Sequence, residues 1–263
     1  GLSWVEDPSN ADTRHSRNYL RHRVVPQLTA RWPQAVANMA RSAEHLGEAQ
    51  GLLDELAALD LGAARTPSAF PWLRLPSLGL APLLGLSTAR QRNALRHWLA
   101  PLTPLPDSDH WAGWETLRDA AVAALPIWRL AQGELQRADG RLWWLADDWL
   151  QVPTRPLPWA DSRQPLSLPG NGRLQVQGEG PAGELRVGYR QGGEVLAVPG
   201  RGHRDLKRLL NEAGLPAFAR GRLPLLYRGD ELLAVANLPG LNGPANGRWR
   251  LIWQPPTNDQ SLS

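Results

Sequence analysis

The sequence contains no cysteine. That excludes disulfides, thiolate nucleophiles and cysteine zinc sites, and it suits a reducing compartment such as the cytoplasm. Lysine is nearly missing too: of the 29 basic residues, every one except Lys207 is an arginine. Methionine is represented by Met39 alone and phenylalanine by two residues. No apolar run approaches the roughly 18 residues that argue for a membrane helix, so no membrane partner is expected. Gly1 is not followed by a positively charged, apolar leader, and the chain reads as a piece of a longer protein that begins mid-chain. Common chemical signatures are also absent. There is no phosphate-binding glycine loop, no helical histidine pair for zinc, and no nucleophile elbow around a serine.

What remains is a globular composition, with 42% hydrophobic and 21% charged residues over 263 positions. That length accommodates two small domains with a connector. The net charge is only +4, yet the pI is about 10.2, because arginine does not titrate near neutrality. Distribution matters more than the total. Residues 14–31 carry Arg14, Arg17, Arg21, Arg23 and Arg31 with no acid, and residues 86–98 carry Arg90, Arg92 and Arg96 with none. Residues 201–228 carry Arg201, Arg204, Lys207, Arg208, Arg220, Arg222 and Arg228 against Asp205 and Glu212. The remainder is net acidic. Concentrated arginine suits a phosphate-rich partner, because guanidinium forks match phosphate oxygens; solvated helix faces are the plainer alternative. Thirteen tryptophans, eight of them between Trp98 and Trp159, could stack on bases, although filling cores is their commoner role.

Proline and glycine divide the chain. A loop around Asp7 precedes a helical run expected to end near Pro26. Trp32-Pro33 then opens a long helix with an apolar stripe of Val36, Met39, Ala43, Leu46, Leu53, Leu56 and Leu59, closed by Leu61-Gly62. At 1.5 Å per residue such a helix spans about 40 Å, enough for a strut. Ser87 is placed to cap a helix running to Ala100, and Asp107 or Ser108 to cap another that Pro126 ends. Residues 127–131, 134–138 and 141–145 read as strands, with Asp139-Gly140 as a hairpin turn. Residues 153–169 hold five prolines and read as a semi-rigid linker. Strands follow near Leu174, at 185–190 and at 195–198. Next come a helix over 203–213 ended by Gly214-Leu215-Pro216, a hairpin about Arg228-Gly229-Asp230, and a last strand over 248–253. Grouped rather than alternating elements give an α+β class: a long connecting helix followed by two small α+β domains.

The 203–213 helix would put Leu206, Leu209, Leu210 and Ala213 on one face and Arg204, Lys207, Arg208 and Asn211 on the other. His203 and Arg204 would sit at its start, where free amides favour an anion. Asp7 and Asp12, in a polar loop, could bind metal, but turn and capping duty is commoner for such residues.

Two stretches resemble motifs of the tRNA(Ile)-lysidine synthases. One is Trp4-Val5-Glu6-Asp7-Pro8-Ser9-Asn10 with Asp12, Arg17-Asn18 and Arg21. The other is Pro199-Gly200-Arg201-Gly202-His203, Leu206-Lys207, Asn211-Glu212-Ala213-Gly214-Leu215-Pro216, Arg220, Arg222 and residues 223–227. Residues 89–99 are similar to the family's substrate-binding domain. His15, where the family often has an aromatic, and residues 216–220, where a tryptophan often stands, are mild departures.

The resemblance implies an enzyme that adenylates the wobble cytidine of the minor isoleucine tRNA (CAU anticodon) with ATP and magnesium. The amine of free lysine then displaces AMP. The family's pyrophosphatase loop, Ser-Gly-Gly-x-Asp-Ser, is not in this sequence, so ATP and magnesium are expected mainly on a missing N-terminal part. Residues 1–32 are then the tail of the catalytic domain, 33–61 the connecting helix, and 62–152 a substrate (tRNA)-binding domain. Residues 153–169 are the linker and 170–263 a C-terminal tRNA-binding domain. Asp7, Asn10, Asp12, Arg17, Asn18 and Arg21 are the expected active-site lining. Arg90, Arg92, Arg96, Arg201, His203, Arg204, Lys207, Arg208, Arg220 and Arg222 are the expected tRNA contacts. The fragment is not expected to catalyse the reaction alone. A stand-alone, non-catalytic RNA-binding module and a scaffold with exposed tryptophan anchors are the competing readings. The oligomeric state stays open, a homodimer being one option.

Overall fold

The computed structural model describes residues 12–121, 124–244 and 247–257. The chain divides into two compact units, one up to Leu56 and one from Ala57 onward.

The first unit is helical. Helix α1 (Ser16–Tyr19) runs through a π-helical turn (Leu20–Val24) into α2 (Val25–Arg31), and α3 (Ala35–Ala64) follows a short turn. Pro26 does not end the run as expected. It lies in the first turn of α2, immediately behind the π turn. A proline offers no N–H and crowds the carbonyl one turn back, and the extra residue of a π turn absorbs both effects. Helix α3 begins two residues after Pro33, and Gly62 lies inside its last turn rather than closing it.

Among the described residues, most of the expected stripe on α3 stays exposed. Leu46 is 71% exposed and Leu59 74%, and Val36, Met39 and Leu53 are open as well. Among the described residues, α1, the π turn and α2 bury nothing, and α3 buries only Ala57, Asp60, Leu61 and Ala64.

In the second unit, β1 (Ser77–Gly79), α4 (Leu80–Leu84), α5 (Thr88–Leu99) and α6 (Ala112–Asp119) precede β2 (Ile127–Leu130), β3 (Gly133–Ala138) and β4 (Arg141–Leu145). The strands form one antiparallel sheet in the order β1-β4-β3-β2. Ser87 caps α5 as expected, its hydroxyl accepting the Arg90 N–H. Asp107 accepts the His110 N–H at 3.1 Å and opens a 3-10 turn that leads into α6. That helix stops at Asp119, well short of Pro126. Asp139 and Gly140 both take positive φ, 50° and 65°, as a two-residue hairpin turn requires. Leu61, Leu78, Leu95, Leu99, Trp114, Leu117, Trp128, Leu142 and Trp144 fill the core between helices and sheet. Gly113 is essential to it: a Cβ there would lie 2.2 Å from the Trp128 ring.

Residues 153–169 carry two short strands, β5 (Leu157–Trp159) and β6 (Leu166–Ser167). The C-terminal part adds β7 (Arg173–Gly178), β8 (Leu185–Gly188), β9 (Val195–Val198), β10 (Gly202–Asp205), α7 (Leu206–Glu212), α8 (Ala217–Arg220), β11 (Leu225–Arg228), β12 (Glu231–Val235) and β13 (Trp249–Gln254). Its sheets run β12-β11-β8-β5 and β13-β7-β6, with a separate β9-β10 ribbon. The expected 203–213 helix is shorter. His203 and Arg204 pair with Ala197 and Leu196 on the ribbon, and the helix starts at Leu206. Asp205 decides the start, because its carboxylate accepts the Arg208 N–H at 2.9 Å and caps the helix. Leu206, Leu209 and Leu210 are buried as expected, whereas Ala213 is exposed. The helix closes where Gly214, at φ 67°, lets the Leu215 N–H reach the Leu210 carbonyl.

The result is a mixed α+β chain with a long helix ahead of sheet-rich regions. Ten tryptophans are buried; Trp32 is exposed, Trp72 half-buried, and Trp4 lies outside the described residues. The scaffold reading thereby loses most of its anchors.

Candidate nucleic-acid interface

Of the N-terminal motif, Asp7 and Asn10 lie outside the described residues. Asp12 is turned onto Arg14, which donates to it from its backbone N–H at 3.0 Å and from its guanidinium at 2.7 Å. Those bonds hold the Asp12 carboxyl below the usual carboxylate range. Asn18 donates to the Asp12 carbonyl at 3.0 Å, fixing the loop to α1. Arg17, on α1, and Arg21, in the π turn, are exposed and one turn apart. The motif therefore combines a closed polar turn with two outward cations. Among the described residues, no group of three or more histidine, aspartate or glutamate side chains could hold a metal ion.

The α5 arginines separate into two kinds. Arg90 reaches back to Asp60 on α3, whose side chain is 2% exposed, in a two-pronged ion pair. It is an anchor between helices. Arg92 holds Glu115 of α6 at 2.8 Å, while Arg96, one turn on, is exposed without an acidic partner among the described residues. Arg92 and Arg96 line a cleft of about 310 Å³ together with Pro106, Asp107, Ser108 and Trp111.

In the C-terminal part, the ribbon and α7 share a cationic surface. Arg201, in the ribbon turn, and Arg208 both hold Glu212, at 2.8 and 3.1 Å, and keep its carboxyl below the usual range. His203, Arg204 and Lys207 are exposed, and Arg204 and Lys207 have no acidic partner among the described residues. Arg204 reaches this surface from the strand, not from the helix face expected for it. Arg220 is tied inward, donating to the Leu215 carbonyl at 2.7 Å and to the Asn211 side chain. Burial and then the charge of Arg190 pull its pKa down. Arg222 does not reach the surface at all. It is 0% exposed, and burial lowers its guanidinium to about 10.

Sequence reasoning missed Asp60, Arg190 and the burial of Arg222. A buried acid and a buried arginine look like their exposed counterparts when only residue type is visible. The adjacency of Arg190 and Arg220 spans thirty positions with no local motif.

Two family models match this chain. Residues 78–143 match the TilS substrate binding domain and residues 185–253 the TilS substrate C-terminal domain. A tRNA(Ile)-lysidine synthase of Pseudomonas syringae pv. tomato is 64% identical over 263 residues, covering 100% of this chain and 59% of its own length. One from Pseudomonas aeruginosa is 64% identical over 265 residues, with 60% of its length covered. One from Escherichia coli O157:H7 is 37% identical over 245 residues, covering 90% of this chain and 55% of its own length. The chain thus spans about 60% of the length of the Pseudomonas relatives. Both the cleft-bearing α5 and the cationic α7 fall within the two matched domains, and the chain belongs to the tRNA(Ile)-lysidine synthase family.

Proposed function

We propose that this chain supplies tRNA recognition to a tRNA(Ile)-lysidine synthase. Such an enzyme ligates free lysine to the wobble cytidine of the CAU-anticodon isoleucine tRNA through an adenylated intermediate, in the cytoplasm. The observation that carries this reading is the placement of exposed cations that are held in no ion pair among the described residues. Arg96 and the Arg204–Lys207 pair are outward-facing, and each lies in one of the two substrate-domain matches. An A-form stem hides its base edges in a deep groove, so such cations serve phosphates and ribose hydroxyls. Arg92, Arg201, His203 and Arg208 border the same surfaces. Arg90, Arg220 and Arg222 support them from beneath.

Arg17 and Arg21, with Asp12 and Asn18 shaping the loop before them, would face substrate in the catalytic part, as would Asp7 and Asn10. ATP and magnesium are then held by the rest of the relatives' length, a reading supported by the missing phosphate loop in this sequence. The domain boundaries in this reading are residues 1–32, 33–61, 62–152, 153–169 and 170–263.

The test is tRNA affinity across a salt series, with lysidine assayed in parallel. The chain should bind tRNA and leave cytidine unmodified with ATP, magnesium and lysine present. Replacing Arg204 and Lys207 by alanine should lower the slope of log Kd against log salt by about two, one for each lost phosphate contact. An unchanged slope and affinity would show a merely solvated face, and lysidine formed by this chain alone would overturn the division of labour.

A further inference from the structure

The Arg222 guanidinium sits where three chain segments meet. It donates to the carbonyls of Asp148 and Gln151, which directly follow β4 out of the first sheet. It also donates to the Gly170 carbonyl and, at 3.2 Å, to Oδ1 of Asn171, just ahead of β7. Asn171 returns a bond from Nδ2 to the Arg222 carbonyl at 2.8 Å.

The cation lies 4.9 Å from the centre of the Trp149 ring. Trp149 packs edge-on against Phe218, tilts against Trp253, and donates its indole N–H to the Pro256 carbonyl at 3.1 Å. Trp143 of β4 also meets Phe218, at 5.7 Å, and Trp72, ahead of β1, meets Trp253 at the same distance. Residues of the first sheet and its leading segment therefore share one core with the C-terminal sheets.

A buried cation whose hydrogen bonds go to carbonyls and an amide, with only the nearby charge of Asp148 offsetting its burial, is an expensive way to fill space. A leucine or methionine would pack the volume without desolvating a charge. What arginine adds is a rigid planar fork that holds several carbonyls at set angles, which a lysine cannot reproduce.

We infer that Arg222 is a positioning residue that fixes the C-terminal module against the α5-bearing module, so that both cationic surfaces meet one tRNA at a set separation. The inference rests on the tRNA-recognition reading above. Once one surface has engaged, the second contact is intramolecular, and its advantage depends on how narrowly the separation is held. Loosening the junction spreads that separation and weakens binding without removing any phosphate contact.

Because this chain has no cysteine, Ala131→Cys and Asp230→Cys, on exposed turns of the two modules, provide one unambiguous spin-label pair. The wild-type background should give a single narrow distance distribution. Arg222→Met and Arg222→Lys should broaden it while circular dichroism stays unchanged, and tRNA Kd should rise about tenfold or more at an unchanged salt slope. Phe218→Leu, which loosens the same junction from its aromatic side, should do the same and decides the matter if the Arg222 variants fail to fold. A slope lowered by about one would mean that Arg222 itself meets a phosphate, and would overturn the inference. So would narrow distances with unchanged affinity. If the wild-type chain binds no tRNA, the functional reading fails, while the distance distributions still show whether Arg222 holds the modules together.

Discussion

Arg90 and Arg96 are six residues apart on one helix, and their surroundings differ: the first is paired with a buried acid and the second is exposed. Asp60 beneath Arg90 is shielded from solvent, so either partner left alone loses its match. Asp60→Asn and Arg90→Ala should each lower the melting temperature, and the double variant should fall by less than the sum of the two. Arg90→Ala should leave the salt slope of tRNA binding unchanged, whereas Arg96→Ala should lower it by about one. A Glu212 carboxyl held low by Arg201 and Arg208 is more strongly deprotonated in the folded chain than in the unfolded one. Its stabilisation is therefore complete above the ordinary glutamate value of 4.5 and disappears as the pH falls below it. The melting temperatures of wild type and Glu212→Gln should differ at pH 7 and converge on acidification through that range. A constant gap down to pH 3 would remove the ion pairs from the explanation. The Arg208–Glu212 pair is a local i,i+4 spacing, whereas Asp60, Arg90 and Arg222 acquire their roles from neighbours thirty or more positions away and cannot be told from their exposed counterparts in the letters of the sequence.

Among the elements, those with local causes were legible. Ser87 ahead of α5, Asp139-Gly140 between β3 and β4, and Gly214 behind α7 each set a backbone conformation through a nearby hydrogen bond or a positive φ. The elements misread were those in which two local signals compete. Helical spacing pointed to a start at His203, but Asp205 is the better cap, and pairing with β9 claims the residues before it. Pro26 pointed to a stop, but the π turn ahead of it gives the helix a way through. The α3 stripe is a different failure: the spacing is right for a buried face, yet among the described residues most of it stays exposed. Leu46→Glu should shift the urea midpoint of this chain very little, while Leu61→Ala, at a fully buried site on the same helix, should cost about 2–5 kcal/mol. Equal effects would mean that the stripe is packed after all. The expected active-site role of Asp7 and Asn10 came only through family resemblance, since no periodicity or spacing distinguishes them from turn residues, and both lie outside the described residues.

Over the whole molecule, all described burial begins at Ala57, and the described residues ahead of it are mostly helix held by its own backbone bonds. Helices without a packed face open locally at little free-energy cost, and a protease reads such openings directly. Trypsin has Arg14, Arg17, Arg21, Arg23, Arg31 and Arg41 available in that region and then no site until Arg65. Arg65 adjoins Thr66 and Pro67, whose carbonyls accept from the guanidinium of the buried Arg141, so the chain there is clamped. Brief digestion followed by mass spectrometry should therefore yield a persistent fragment beginning at Ser42, and early cuts at Arg65 or beyond would contradict the clamp. The exposed α3 stripe thus makes the long helix the expected first point of cleavage, leaving the α5-bearing and C-terminal modules joined and intact.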